Sequence, residues 1–550
     1  MRVKDDFRVL RDLIKYWTIA AVARVLTLRA FSLLLPPNWA SKSSWLILAA
    51  AVYRGLGATP LRLPPHPTDH FGDMPFFGTL LSAAKHRHTA HNYLFDGIRA
   101  AGFKTTELRV PGGVHIFFLM DPLDREYVLK TNWKNYLKNR DNDVASIDMT
   151  LGEVLGRGIF ATDLSEWQDQ RKIASHMFSG NGLKFQMESV FNAHAAHTLE
   201  AFEKLAAQGR VFDIQDVFQS VVFDAFCEIA FGLYPDATKS ALEGVKPAFL
   251  VSFDFCQLFS AQRVVQSPLQ WRLSKLLAKA ANVGPDAEFQ RHLAVVDDYV
   301  YDVVRRRKQE QTADKQDLLS LYINHARETG QAHMLEDVYL RDTIVNFMIA
   351  GRDTTSCTLT NMCRYLSEHP DIVARLRADD FSKIGSDGRI SWETANQLHL
   401  VHAVFNESIR LAPPVGDDFK IAVGSDVLPS GVVINEGDRV FTPNVAIGRD
   451  PMLWHDPGAF KPDRWLNVDD NGQVRVRRPD EYVFPVFWAG QRLCLGKDMS
   501  RFEATVFCAK LFAKLDFVSE PAQENKTFVM GPVIFYNDGW RMRVRAANPR

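Results

Sequence analysis

Phe487-Trp488-Ala489-Gly490-Gln491-Arg492-Leu493-Cys494-Leu495-Gly496 decides how this chain is read. Its centre is Cys494, a thiol placed where a metal could take it as thiolate. Gly490 can supply a positive φ for a tight turn, and Gly496 lets the backbone after the sulfur pass close to a flat ligand with which a β-carbon would collide. Downstream, Asp498 to Phe512 carries apolar side chains at Met499, Phe502, Val506 and Phe507. That is the spacing of a core helix whose positive end points back at the sulfur and favours the thiolate. A lone cysteine in a turn is more often a buried structural residue. Against that, a chance match to five set residue types in ten positions has odds on the order of 1 in 10⁴ in a chain this long, so the ligand reading is preferred.

The rest of the chain is globular in composition, with 46% hydrophobic and 24% charged residues over 550 positions, ample for one large core. Lysine plus arginine and aspartate plus glutamate both number 65, so no overall field argues for nucleic acid. The cysteines Cys227, Cys256, Cys357, Cys363, Cys494 and Cys508 form no C-x-x-C and no even framework, which points to a reduced, cytosol-facing body.

Residues 1–59 read differently. Trp17 to Leu35 is largely apolar but carries Arg24 and Arg29, each of which costs roughly 2.5–3.5 kcal/mol at the middle of a bilayer. Trp45 to Tyr53 is about half a span, and Pro36-Pro37 separates the two runs. This suits an interfacial or hairpin-like membrane anchor, the alternative being two soluble helices packed on the body. Asp5, Asp6 and the lack of a small-residue cleavage site argue against a secretory signal. Pro60, Pro64, Pro65 and Pro67 form a stiff boundary, dividing a membrane-associating segment, 1–59, from a catalytic domain, 60–550. Arg305 to Lys315 is expected to be a solvated connector ahead of a helix at Asp317-Leu318-Leu319.

Four further patterns stand out. Trp167 and Arg171 share one helical face, a clamp for a carboxylate or an ordinary cation–π stack. Asp337 to Ser367 is the longest helical pattern, yet Ala350-Gly351-Arg352-Asp353-Thr354-Thr355 lies inside it, and a glycine there costs about 1 kcal/mol. Ala350, Gly351 and Thr354 fall on one face, giving a groove beside a hydroxyl or, alternatively, a helix kinked for packing. Glu407 and Arg410 are three apart on a helical turn, and Phe460-Lys461-Pro462-Asp463-Arg464-Trp465 follows about fifty residues later. Between them Asp418-Phe419-Lys420 precedes an apparent strand.

Trp167/Arg171, Ala350 to Thr355, Glu407/Arg410, Phe460 to Trp465 and Phe487 to Gly496, taken in chain order, resemble the cytochrome P-450 family of haem-thiolate monooxygenases, over roughly residues 60 to 545. The resemblance implies a mainly α fold with small β-sheets, a triangular helical prism whose long central helix crosses a haem. It implies haem b as cofactor, non-covalent apart from a bond from Cys494 to iron, with Phe487 beside the sulfur, Gly496 against the ring, and Trp167, Arg171, Arg492 and Lys420 at the propionates. Lysine at 420 lacks the fork of an arginine. Ala350 and Gly351 would form the oxygen groove, where Thr354 hydrogen-bonds dioxygen and Asp353, near bulk water, relays protons. Glu407, Arg410 and Arg464 would form a structural triad behind the haem. The segments Gly158 to Phe178, Ala350 to Thr355, Asp418 to Lys420 and Gly496 to Asp498 look most like the plant and fungal fatty-acid ω-hydroxylase branch. Ala350 stands where animal fatty-acid hydroxylases often carry a glutamate esterified to haem, so no such ester is expected here.

The expected activity is hydroxylation of an aliphatic lipid, a fatty acid at or near its terminal carbon, at the cytosolic face of the endoplasmic reticulum membrane. Dioxygen and an NADPH-dependent reductase are the implied partners, because the chain carries no flavin or dinucleotide fingerprint of its own. Lys497, Arg501 and Lys510 are candidate docking charges for that reductase. Alternatives are hydroxylation of a sterol, terpenoid or xenobiotic, a haem-thiolate isomerase or dehydratase acting on lipid hydroperoxides, and a non-catalytic haem sensor. Asp353-Thr354 argues against the last two.

Overall fold

The helical pattern from Asp337 folds as one rod with a fault in it: α-helix over Asp337–Met348, a wider π turn over Ile349–Asp353, and α-helix again over Thr354–Glu368. Between Leu340 and Cys363 every residue is buried except Ala350, Gly351 and Thr354. A helix buried on all sides belongs to the middle of a core. The computed structural model describes residues 90–547, apart from 111–113, 141–145, 180, 264–267, 311, 313–314, 316, 522, 524–525, 527 and 530. The expected anchor, 1–59, and the proline-rich boundary lie outside the described residues. Among the described residues no helix is long and apolar enough to cross a membrane.

Thr354–Glu368 packs against helices Ile214–Phe231, His399–Leu411 and Lys497–Lys514 and against strand Leu515–Ser519. Ile214–Phe231 is buried at all but Asp216 and Glu228. Asp213 caps its start by accepting from Gln215 N at 3.0 Å, and Gly232, at φ 59°, ends it. Helix Lys497–Lys514 begins directly after Gly496, so the thiol-bearing loop runs into the core layer without a linker.

Strand Asp417–Ala422 lies between Tyr136–Leu137 and Arg439–Pro443, antiparallel to both, with Lys420 opposite Val440 and Asp418 opposite Thr442. Asp418, Phe419 and Lys420 are therefore inside the strand, not ahead of it, and the two-residue period puts Asp418 and Lys420 on one face. A second sheet orders Leu515–Ser519, Arg541–Ala546 and Phe212–Asp213. Separately, in the unit that contains Thr106–Phe117, Glu107 binds Arg109 and His115.

The Arg305 to Lys315 stretch is solvated at Arg305, Arg306, Glu310 and Lys315, as expected, but it is not connector throughout, and Arg307 is a correction. Its first part completes helix Pro285–Gln309, and Arg307 turns inward, buried, onto Asp317 at 2.9 Å and Ser320 Oγ at 3.1 Å. A guanidinium can bridge several acceptors at once, and here it staples that helix to Leu318–Thr329, whose start Asp317 also caps.

Candidate functional site

The Cys494 loop is built from tight turns. Pro485–Phe487 and Gly490–Arg492 are single 3₁₀ turns, and Cys494 N donates to Phe487 O at 2.9 Å to close the loop. Gly490 has φ 62°, and a Cβ there would lie 2.3 Å from Leu129 O, so glycine is required by both conformation and space. Gly496 differs: its φ is ordinary, and a Cβ would have only Cys494 Sγ within 4.0 Å. Its bareness serves the open side of the sulfur. Of the six cysteines Cys494 alone is exposed; it is open to small molecules yet recessed. Burial pushes its thiol up, while the N–H groups of Gly496 and Lys497 and the charge of Arg171 pull the other way. Phe487 stacks on Phe405 at 6.2 Å, with Lys497 Nζ 5.7 Å over its ring.

Around this loop four cations gather on two indoles. Trp167, on helix Leu164–Ser179 and 4% exposed, has Arg171 Cζ at 5.5 Å and Arg492 Cζ at 4.5 Å from its ring. Arg171 donates to Leu493 O at 2.6 Å. Arg492 donates to Thr162 O at 2.7 Å and to Asp163 Oδ1 at 2.6 Å. The second indole, Trp488, has Lys138 Nζ at 5.6 Å and Lys420 Nζ at 5.5 Å. Lys138 pairs with Asp418. Lys420 is buried and its ammonium makes no hydrogen bond; burial, then Arg492 and Lys138, push its pKa well down. Burial likewise lowers Arg171 and Arg492. Burial works to raise Asp418, but Lys138 and Lys420 hold it below the usual carboxylate range.

Lys138, Arg171, Lys420 and Arg492 outnumber Asp163 and Asp418 by two. A haem brings two propionates, and it would also meet the one open thiol and the bare backbone at Gly496. The residues present thus fit the group that the resemblance implies. Lys138, Asp163, Asp418 and Trp488 were not singled out from the sequence. Trp488 carried a signal, a bulky side chain inside a glycine-rich turn; Lys138 carried none.

On the long helix, Ala350, Gly351 and Thr354 do share the one open face, and Thr354 Oγ1 donates to Ala350 O at 2.9 Å, leaving its lone pairs free to accept. Gly351 has a second reason to be small: a Cβ would lie 2.1 Å from the ring of Phe226. Asp353 is not near bulk water. It is 0% exposed, because the π turn aims it into the core. Neither of its oxygens makes a well-aligned hydrogen bond, although Arg352 Nη1 stands 3.0 Å from Oδ1. Burial, opposed by Arg352 and aided by Asp254, pushes its pKa up to about 6.

The way out of that burial is a chain of ion pairs. Arg352 reaches Asp254 at 2.5 Å, Lys246 joins Asp254 at 2.8 Å, and Asp216 meets Lys246 at 3.1 Å. Asp216 and Lys246 line a cavity of about 230 Å³ that also holds the unpartnered Ser220 hydroxyl. No sequence signal linked Asp254, Lys246 and Asp216 to Asp353.

Glu407, Arg410 and Arg464 meet as a network. Glu407 accepts from Arg410 at 2.7 and 2.8 Å, Arg464 at 3.0 Å, Lys461 N at 2.7 Å and Trp465 Nε1 at 2.8 Å. Of the three expected docking charges, Lys497 is exposed, Arg501 is held by Asp498 at 2.8 Å, and Lys510 is turned onto Gly388 O at 2.7 Å.

The chain matches the family model described as Cytochrome P450 over residues 67–538. It is 33% identical to Cytochrome P450 94C1 of Arabidopsis thaliana, an alignment covering 76% of this chain and 82% of that protein. Against Cytochrome P450 704C1 of Pinus taeda the identity is 30%, covering 86% and 92%. Against Cytochrome P450 94A1 of Vicia sativa it is 30%, covering 81% and 84%.

Proposed function

Because the chain belongs to the cytochrome P450 family of monooxygenases, in which a cysteine thiolate holds haem b, we propose that it hydroxylates an aliphatic lipid, first of all a fatty acid at or near its terminal carbon. The observation that carries the substrate reading is the open face of the long helix. It offers a methyl at Ala350, bare backbone at Gly351 and a single hydroxyl at Thr354, while the adjacent charges of Arg352 and Asp353 are turned away and buried. Such a face suits a saturated chain. The likeness of four segments to the plant and fungal fatty-acid branch supports the same class.

What the haem supplies when bound is oxygen activation, since an anionic thiolate pushes electron density onto iron and favours O–O cleavage. Cys494 would hold it, with the two cation pairs at its propionates. Thr354 Oγ1 presents a hydroxyl to the groove, and Asp353, one residue away, is a carboxyl whose pKa is raised to about 6 and which can take up and release a proton near neutral pH; these are the group types that proton delivery to oxygen needs. The Arg352–Asp254–Lys246–Asp216 chain links Asp353 to the outer cavity. The family implies a separate reductase, dioxygen and a lipophilic substrate. NADPH as the reductase's electron source, and the cytosolic face of the endoplasmic reticulum membrane as the site of action, complete the proposal.

The test is reconstitution with NADPH and a P450 reductase, after a binding-spectrum screen of aliphatic, sterol and aromatic ligands. A saturated long-chain fatty acid should displace the iron's water and yield a terminally or near-terminally hydroxylated product. Thr354→Ala should keep the thiolate-type carbon monoxide spectrum and divert most reducing equivalents to peroxide. A response to sterols or aromatics alone would overturn the substrate reading.

A further inference from the structure

Trp488 has φ 63° and ψ −177°. A left-handed residue such as Asp236, at φ 55° and ψ 34°, lies in a region that other side chains visit. The Trp488 pair falls in one essentially reserved for glycine. A bulky side chain held there is strained, and strain of this kind persists only where the surroundings impose it. Trp488 N donates to Pro485 O at 2.8 Å and the next residue, Ala489, is fully buried, so the backbone is held on both sides. Glycine would meet the backbone's demand better, so the tryptophan is there for its side chain.

What that side chain touches is specific. Lys138 and Lys420 place their ammonium groups over its ring at 5.6 and 5.5 Å. An ammonium is a strongly hydrated point charge on a flexible stem, without the fork that orients a guanidinium. Lys420 is buried and has gained no acceptor, so beside the charges of Asp418 and Asp163 its one direct contact with a polarisable group is a desolvated cation–π contact. The arrangement repeats that of Trp167, which carries Arg171 and Arg492.

We propose that Trp488 is a positioning residue for the cofactor: its indole stands in for water around two ammonium groups and would hold Lys138 and Lys420 ready for the haem's propionates, as Trp167 would hold Arg171 and Arg492. This rests on the haem reading above. Without the indole both lysines are free to turn away, Lys138 toward Asp418 alone.

The holoproteins to compare are the parent, Trp488→Gly and Trp488→Phe, with three readouts: haem transfer to excess apomyoglobin, the ferric–ferrous midpoint potential, and thermal unfolding of the haem-free form. Glycine is at ease in this backbone, which offsets part of the lost indole packing, so the haem-free form of Trp488→Gly should unfold close to the haem-free parent. The holoprotein should nevertheless lose haem about tenfold faster, the scale of desolvated cation–π contacts. Its potential should move negative, because propionate charge left uncompensated favours ferric iron. Trp488→Phe, which keeps an aromatic face, should recover most of both effects. Adding Lys420→Met to Trp488→Gly should then change haem loss less than about twofold, since the lysine would already be disengaged. Haem retention and potential unchanged in Trp488→Gly, or full additivity with Lys420→Met, would overturn the proposal. Failure of the parent itself to give a thiolate-type carbon monoxide spectrum would instead remove the haem reading, and this inference with it.

Discussion

Glu407 and Lys420 are both buried charges close in sequence, and they have opposite fortunes. Glu407 accepts from Arg410, Arg464, Trp465 and a backbone N–H, and Arg410 passes its remaining donors to Gly448, Pro457 and Ala459. Lys420 has an indole face and no acceptor. The first network is complete within the chain, and completeness of that kind holds a fold in place. The second is two anions short, and Asp353 is likewise buried without a well-made hydrogen bond. Buried polar groups are almost always satisfied, so a lysine left without an acceptor beside the open thiol marks a place where the chain depends on something it does not encode.

If that contrast is right, changes at the open sites should cost function while changes in the closed network cost the fold. The largest effect is expected at Cys494: Cys494→Ala should abolish the thiolate-type carbon monoxide spectrum while the apoprotein unfolds at nearly the parent temperature. An unaltered spectrum would break the comparison at its root. Next comes the closed network. Glu407→Gln leaves the buried Arg410 and the half-buried Arg464 underpaired, and chemical denaturation should show a loss of about 3–5 kcal/mol.

Asp353 should do the reverse. Its pKa is raised by burial to about 6, so its contribution to stability is fully present below about pH 4 and is lost as pH rises through 6. Asp353→Asn should therefore become the more stable protein across that window, by about 3 kcal/mol at most. Denaturation curves for the two proteins that stay parallel from pH 4 to 7 would sink this. The smallest effect belongs to the exposed Arg375–Asp463 pair, 2.7 Å apart with both side chains largely in water. Arg375→Ala should shift stability by less than about 1 kcal/mol, despite its two-pronged geometry.

Much of the closed machinery was legible in the sequence because it is periodic. The helix read from Asp337 to Ser367 ends one residue later, at Glu368, and Trp167 and Arg171 do share a face. Local spacing reports such neighbours directly. The open sites were harder to see. Lys138 reaches Asp418 across 280 residues, and Arg352 reaches Asp254 across 98, and no spacing rule spans such gaps. Asp353 misled for a different reason: its place beside Thr354 suggested a solvent-facing partner, whereas the widened turn sends it inward. Gly351 was read for its openness alone, because nothing local announces the ring of Phe226 that lies against it.

That widened turn, Ile349–Asp353, carries one residue more than a regular helix would use. Deleting a single residue there would restore an even spiral, more comfortable taken alone, and would swing every side chain from Thr354 onward by about 100° around the axis. The hydroxyl would leave the groove, and Asn361 would be carried away from Tyr536. The helix that carries this chain's groove tolerates a local misfit because a perfect one would point its chemistry in the wrong direction.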